Sequence, residues 1–164
     1  MNGERHPIVR VFDCHVARIT RSGTLEFLLL RRANGRIYAG DWRMVGGKIE
    51  AGETAWQASL RELAEETALT ADQLFAVPYL NRFYEWHRDR VNEIPVFLAI
   101  TSGEEPRLDD EHDGFEWLTP EDAAARLPWP GQRGGLAAAV ALYGDRRLWP
   151  HVEVTLQTVP DLQP

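Results

Sequence analysis

The 164-residue chain has a single cysteine, no apolar run of membrane-spanning length and fewer basic than acidic residues. One Cys14 excludes an internal disulfide, and its place in an apolar run suits a buried thiol better than a reactive one. Without a stretch of about 20 apolar residues, no membrane-crossing helix is expected. The N-terminus lacks the apolar core of a signal peptide, so the expectation is a cytoplasmic protein with no membrane partner. Lys and Arg number 18 against 25 Asp and Glu, a formal net charge of -7. That balance argues against nucleic-acid binding, which needs a basic face. It also means that a polyphosphate ligand would have to be met by metal ions or by a few placed arginines. No repeat, low-complexity tract or linker interrupts the chain, so a single domain spanning residues 1–164 is expected.

The most informative stretch is Gly46-Gly47-Lys48-Ile49-Glu50-Ala51-Gly52-Glu53, followed by Thr54 to Glu66. It reads as a glycine-rich loop opening a helix. Thr54 can cap the helix, and Gln57 three residues on completes a capping box. Thr54 to Thr67 contains no Gly or Pro and is dominated by good helix formers. On a helix, Trp56, Leu60, Leu63, Ala64 and Thr67 fall on one side, and Glu62, Glu65 and Glu66 fall together on another. Clustered like charges repel, whereas a shared cation would reverse the sign. Three such carboxylates with Glu53 nearby suit a hard, oxygen-seeking ion, although a glutamate-rich helix face can also be simply solvated.

The spacing of the whole stretch resembles the Nudix box. Gly47, Glu53 after five residues, Arg61-Glu62 after seven, then Leu63, Glu65-Glu66 and Leu69 match eight of its nine defined positions. The departure is Ala68, where the family has Gly at the end of the helix. The resemblance implies an α/β fold, the Nudix α/β/α sandwich with a mixed β-sheet, over about residues 8–143, with 144–164 as an extension.

Along the chain, Ile8–Ile19 and Leu25–Leu30 read as strands, and Trp42–Val45 as a short strand delivering the glycines. Leu74–Tyr84 and Val91–Thr101 read as a hairpin, in which Pro95 suggests an edge position or a bulge. Glu111–Leu118 is a last core strand. Thr119-Pro120 starts a helix, Pro128–Gly131 breaks it, and Gln132–Tyr143 forms another that Gly144 stops. His151–Thr158 alternates like a strand, packed on the body or on a partner subunit.

The family cleaves a diphosphate linked to another moiety, so the resemblance implies Mg2+, with Mn2+ as an alternative. Carried over by position, the metal ligands are Glu62, Glu65 and Glu66, with Glu53 direct or through water and the Gly46 carbonyl joining the shell. Arg61 is expected to orient a box glutamate, being four residues from Glu65. The general base is Glu62 or a later-loop glutamate, for which Glu111 is the candidate; Glu111 also reads as a plain surface acid. Substrate contacts are sought at Arg31 or Arg32, which read equally as surface ion-pair residues, and at Trp42, Tyr84 and Asn92. Tyr38, Trp86 and Glu93 are weaker candidates of the same kind.

The segments Glu111–Leu118 and Leu127–Gln132 resemble the dihydroneopterin triphosphate and dATP pyrophosphohydrolase branch. That likeness implies a nucleoside or pterin triphosphate as partner, cleaved to the monophosphate and pyrophosphate, and makes a homodimer plausible. Hydrolysis of ADP-ribose, a nucleotide sugar or a dinucleoside polyphosphate is the second reading. A non-catalytic nucleotide sensor is the third, disfavoured because no box carboxylate is missing.

Overall fold

A computed structural model of the chain describes residues 9–103 and 105–156. Among these residues one mixed sheet contains seven strands: β1 (Val11–Ile19), β2 (Leu25–Arg32), β3 (Trp42–Arg43), β4 (Val45–Lys48), β5 (Gln73–Glu85), β6 (Arg90–Ile100) and β7 (His112–Leu118). The helices are α1 (Ala55–Thr67), α2 (Pro120–Arg126), α3 (Pro130–Gly144) and α4 (Trp149–Val152). The strand order is β3-β2-β1-β6-β5, with β4 on β1 and β7 on β2; only β1 and β6 run parallel.

Alternation along the strands builds two cores. Phe12, Cys14, Val16, Leu28 and Leu30 pack with Ala58 and Leu63 beneath α1. Ala17, Phe27 and Leu29 pack on the opposite face with Leu127, Leu136 and Ala139 from the α2–α3 region. Helices on both faces of the sheet make the α/β/α sandwich.

The sheet is split at its centre. Residues 16–19 of β1 pair with β2, whereas residues 11–14 pair with β4. Likewise β2 leaves β1 after Leu28 and takes β3 as its partner at Leu30 and Arg31. The segment Trp42–Lys48 is thus wedged between two diverging strands. For that reason the expected strand Trp42–Val45 is broken at Met44: its first half serves β2 and its second half β1. The wedge carries Arg43, Gly46 and Gly47 into the middle of the molecule.

Helix α1 is capped as its sequence requires. Thr54 Oγ1 accepts from the Gln57 amide at 3.3 Å, and Gln57 Oε1 accepts from the Thr54 amide at 2.9 Å. At its other end Ala68 adopts the left-handed conformation, φ 58°, and its amide donates to Ala64 O. The family's Gly position therefore keeps its backbone although this chain places Ala there.

Several expectations shift. Ile8 lies outside the described residues. Pro95 answers to both expectations: the β5–β6 register slips between Val77 and Leu80, opposite it, and the pairing of β6 with β1 begins only at Val96, so its missing N–H falls where that side of the strand is unpaired. Helix α3 begins at Pro130, two residues before Gln132, because proline at a first helical position loses no needed hydrogen bond. Ala64, expected on the packed side of α1, is exposed. The strand expected over His151–Thr158 is replaced by the single turn α4, with one bridge between Phe75 and Glu153; residues 157 and 158 lie outside the described residues. The turn lets the Trp149 ring reach Phe75 at 4.7 Å and Tyr143 at 5.7 Å, while its Nε1 donates to Leu142 O. This segment packs on the body of the same chain.

Two stability predictions follow from these positions. Ala68→Gly should raise unfolding stability by about 1 kcal/mol in urea denaturation, because it relieves a left-handed Cβ clash at some cost in chain entropy. His15 is buried against Phe27 and its pKa is pushed down to about 3 by desolvation. Below its unfolded value of about 6.5, the unfolded chain gains a proton that the folded chain refuses. Stability should therefore fall as the pH drops from about 6.5 towards 3, and His15→Leu should flatten that part of a pH–stability profile.

Candidate active site

Arg61 is the hub of the site. Its Nε donates to Glu53 Oε1 at 2.9 Å and its Nη2 to Glu53 Oε2 at 3.0 Å, a bidentate pair. Its Nη1 donates to Glu62 Oε1 at 2.8 Å and to Glu65 Oε2 at 3.0 Å, and Nη2 also reaches the Lys48 carbonyl at 3.0 Å. One guanidinium thus ties the glycine-rich loop to the helix and braces three carboxylates. The hydrogen bonds from Arg61 hold the Glu53 carboxyl below its ordinary range. The expected Arg61–Glu65 pair is present, but it is the most exposed arm of a larger fan.

The acidic stripe of α1 is divided by burial. Glu65 faces solvent, Glu62 is largely covered, and Glu66 is only 4% exposed, lying with Ala58, Leu63 and Thr67 on the packed side. Glu66 Oε2 is buried without a hydrogen-bond partner. Burial raises its pKa to about 8; the Arg43 charge works against this, and Glu62, Asp109 and Glu111 add to it. Gly47 lies directly against the Glu62 carboxylate: a Cβ there would stand 2.5 Å from Glu62 Oε1 and displace that side chain. Gly46 pairs with Asp13 in the β1–β4 ladder, where its Cβ would press on the Phe12 carbonyl.

Among the described residues no three acidic, His or Cys side chains already converge as a cation cage. Arg61 accounts for this, because its guanidinium draws Glu53, Glu62 and Glu65 to itself. The donor set is nevertheless all oxygen, and a buried carboxylate oxygen without a partner is the kind of group a hard cation satisfies. These residues fit a divalent ion.

The Asp109–His112 turn lies against the end of α1, with the Asp109 amide donating to Glu66 O at 3.4 Å. This brings Glu111 close enough for its charge to act on Glu66. Its carboxylate, however, accepts from Arg32 at 2.6 Å and Arg36 at 3.5 Å, and the Arg32 hydrogen bond lowers its pKa. Arg31 is likewise engaged, donating to Asp113 at 2.7 Å. Trp42 lies half-buried with the Arg126 and Arg31 guanidiniums at 5.0 and 5.9 Å from its ring. Tyr84 donates to Asp89 at 2.8 Å and Asn92 to Glu85 at 3.2 Å, so their bonds stay within the β5–β6 hairpin. Tyr38 stacks edge-on against the exposed Trp129.

Sequence reasoning passed over Arg43, and also Asp13 with Asn81, whose Nδ2 donates to Asp13 Oδ2 at 2.9 Å in a buried pair. An acid inside the apolar strand Val11–Ile19 was the available signal for the second. Arg43 carried none, because its importance comes from the wedge.

A family profile described as NUDIX domain matches residues 12–139. The chain belongs to the Nudix hydrolase family. An octanoyltransferase of Myxococcus xanthus is 36% identical over 124 residues, 74% of this chain but 34% of that protein, so the match spans only about a third of that relative. The asymmetrical bis(5'-nucleosyl)-tetraphosphatase of Mus musculus is 30% identical over 69% of this chain and 77% of that enzyme. In fold, the chain resembles a Caenorhabditis elegans Ap4A hydrolase with a TM-score of 0.69 at 24% identity, covering 84% of this chain and 98% of the other. The Escherichia coli dihydroneopterin triphosphate pyrophosphohydrolase matches with a TM-score of 0.61 at 23% identity, over 82% and 99%. No helix among the described residues is long and apolar enough to cross a membrane.

A buried, unpartnered carboxylate weakens the fold that holds it. Glu66→Gln should therefore raise the melting temperature of the metal-free chain while lowering its affinity for Mn2+, read by thermal melting and by metal titration on the same protein.

Proposed function

We propose that the chain is a Mg2+-dependent pyrophosphohydrolase that acts on a nucleoside or pterin triphosphate and releases the monophosphate and pyrophosphate. The observation that carries the reading is the orphaned Glu66 oxygen beside Glu53, Glu62 and Glu65, in a protein whose net charge is -7. Such a site would repel a polyphosphate unless cations came with it.

Glu62, Glu65 and Glu66 would hold Mg2+, with Glu53 direct or through water and the Gly46 carbonyl available as a further oxygen. Mg2+ bound there supplies charge neutralisation at phosphate and acidifies a water. Arg61 sets the carboxylates: its bidentate hold on Glu53 fixes the loop, and its contact with Glu62 keeps that side chain flat against Gly47. Glu62 is favoured as the group that takes a proton from water, since Arg61 engages only one of its oxygens, whereas Glu111 is held on both oxygens by Arg32 and Arg36 and made a weaker base. Trp42, whose half-buried ring packs on the α2–α3 side of the sheet, is a candidate wall for a base or pterin.

A second reading has its own support. The relationship to a bis(5'-nucleosyl)-tetraphosphatase at 30% identity favours a dinucleoside polyphosphate, cleaved to two phosphorylated fragments. A hydrolysis screen with product identification separates the two. It would offer nucleoside triphosphates, dihydroneopterin triphosphate, ADP-ribose and a dinucleoside tetraphosphate with Mg2+. Pyrophosphate from a triphosphate supports the first reading; two nucleotide fragments from the dinucleotide support the second. Turnover of none of them would overturn both.

Two substitutions test the roles. Glu62→Gln should reduce turnover by at least about a hundredfold with the fold intact by circular dichroism. Glu111→Gln should cost less than about tenfold; a loss as large as that of Glu62→Gln would move the base to Glu111.

A further inference from the structure

Arg43 lies half-buried on the wedge between the two central strands. Its Nε is buried and finds no hydrogen-bond acceptor. Among the described residues it forms no ion pair, although its neighbours Arg31 and Arg32 are bound to Asp113 and Glu111. It is not isolated from acids. Burial raises the pKa of both Glu66 on α1 and Asp13 on β1, and the nearby Arg43 charge works against that rise in each. Yet neither carboxylate closes on it. Gly46 lets the backbone pack close beside it: a Cβ there would lie 3.3 Å from Arg43 Nη2 and 3.8 Å from Asp13 Oδ1.

A guanidinium whose Nε is buried without an acceptor is costly, and its planar fork matches phosphate oxygens two at a time. The two arginines beside the box that could otherwise take phosphate are already occupied by carboxylates. We infer that Arg43 is the arginine that binds the substrate's phosphate oxygens, beside the box carboxylates. This rests on the polyphosphate reading above and gives the acidic site the positive charge of its own that such a ligand requires. It also separates two tasks: the box glutamates attract cations, and Arg43 attracts the anion.

That division makes a test of opposite signs possible. Pyrophosphate would be titrated calorimetrically into the full chain in Mg2+ buffer, for wild type, Arg43→Gln and Arg43→Lys, and Mn2+ binding would be measured separately without pyrophosphate. Arg43→Gln should bind pyrophosphate at least about tenfold more weakly, because a charged fork is lost. The same variant should bind Mn2+ as tightly as wild type or more so, since a cation has left the neighbourhood of Glu66. Arg43→Lys, which keeps the charge without the fork, should fall between on pyrophosphate. It decides the matter if the glutamine variant does not fold: wild-type affinity in the lysine variant would then overturn the inference. Equal pyrophosphate affinity in wild type and Arg43→Gln would overturn it, as would parallel loss of Mn2+ and pyrophosphate, which marks a structural role. No pyrophosphate binding by wild type would overturn the polyphosphate reading itself, and this inference with it.

Discussion

The Arg61 guanidinium holds together what electrostatics would otherwise push apart. Glu53, Glu62 and Glu65 converge from a loop and a helix, and five hydrogen bonds from one side chain, counting that to the Lys48 carbonyl, fix them. Arginine suits this because its donors diverge in a plane and its charge is permanent, so several carboxylates can be served at once. The helix starts immediately after this contact: the Thr54–Gln57 capping box follows directly on the Glu53 that Arg61 grips.

Glu66 stands outside this arrangement. It belongs to the packed face of α1, and its unpartnered oxygen is a local cost that the two apolar cores offset. A group already satisfied by the protein has less to offer an ion, whereas an unpartnered carboxyl can give its oxygens to a cation and release its proton in doing so. The same reasoning extends to Arg43, a cation left without an anion a short distance away. The two unsatisfied groups are of opposite kind and lie near enough for the Arg43 charge to act on Glu66, a pairing that suits a ligand made of metal and phosphate together.

The split sheet makes these placements. Strands β1 and β2 part after a few paired residues, and the wedge β3–β4 fills the gap with a glycine pair and an arginine where a continuous sheet would carry apolar side chains. The Asp109–His112 turn then closes over the end of α1 and brings Arg32 and Glu111 to the rim as a bound pair.

What the sequence determined by itself was local or periodic. The capping box, the helix over Thr54–Thr67, the alternating strands, the buried Cys14 and the box spacing all depend on residues within a few turns of one another, and each is present in the fold. The left-handed Ala68 was not legible: Ala stands where the family has Gly, and only the fold shows that the same backbone is kept there. Only the tertiary structure decided which glutamate is buried, because helical spacing places Glu62, Glu65 and Glu66 together and cannot say how far the sheet beneath extends. It likewise decided that Arg31 and Arg32 are spent on Asp113 and Glu111, partners some 80 positions away in sequence, and that Arg43 is not. It turned the expected C-terminal strand into a helical turn, because packing the Trp149 ring against Phe75 and Tyr143 outweighed alternation. Periodicity speaks for a chain's own neighbours; charge pairing and burial are settled by segments that meet only when the sheet closes.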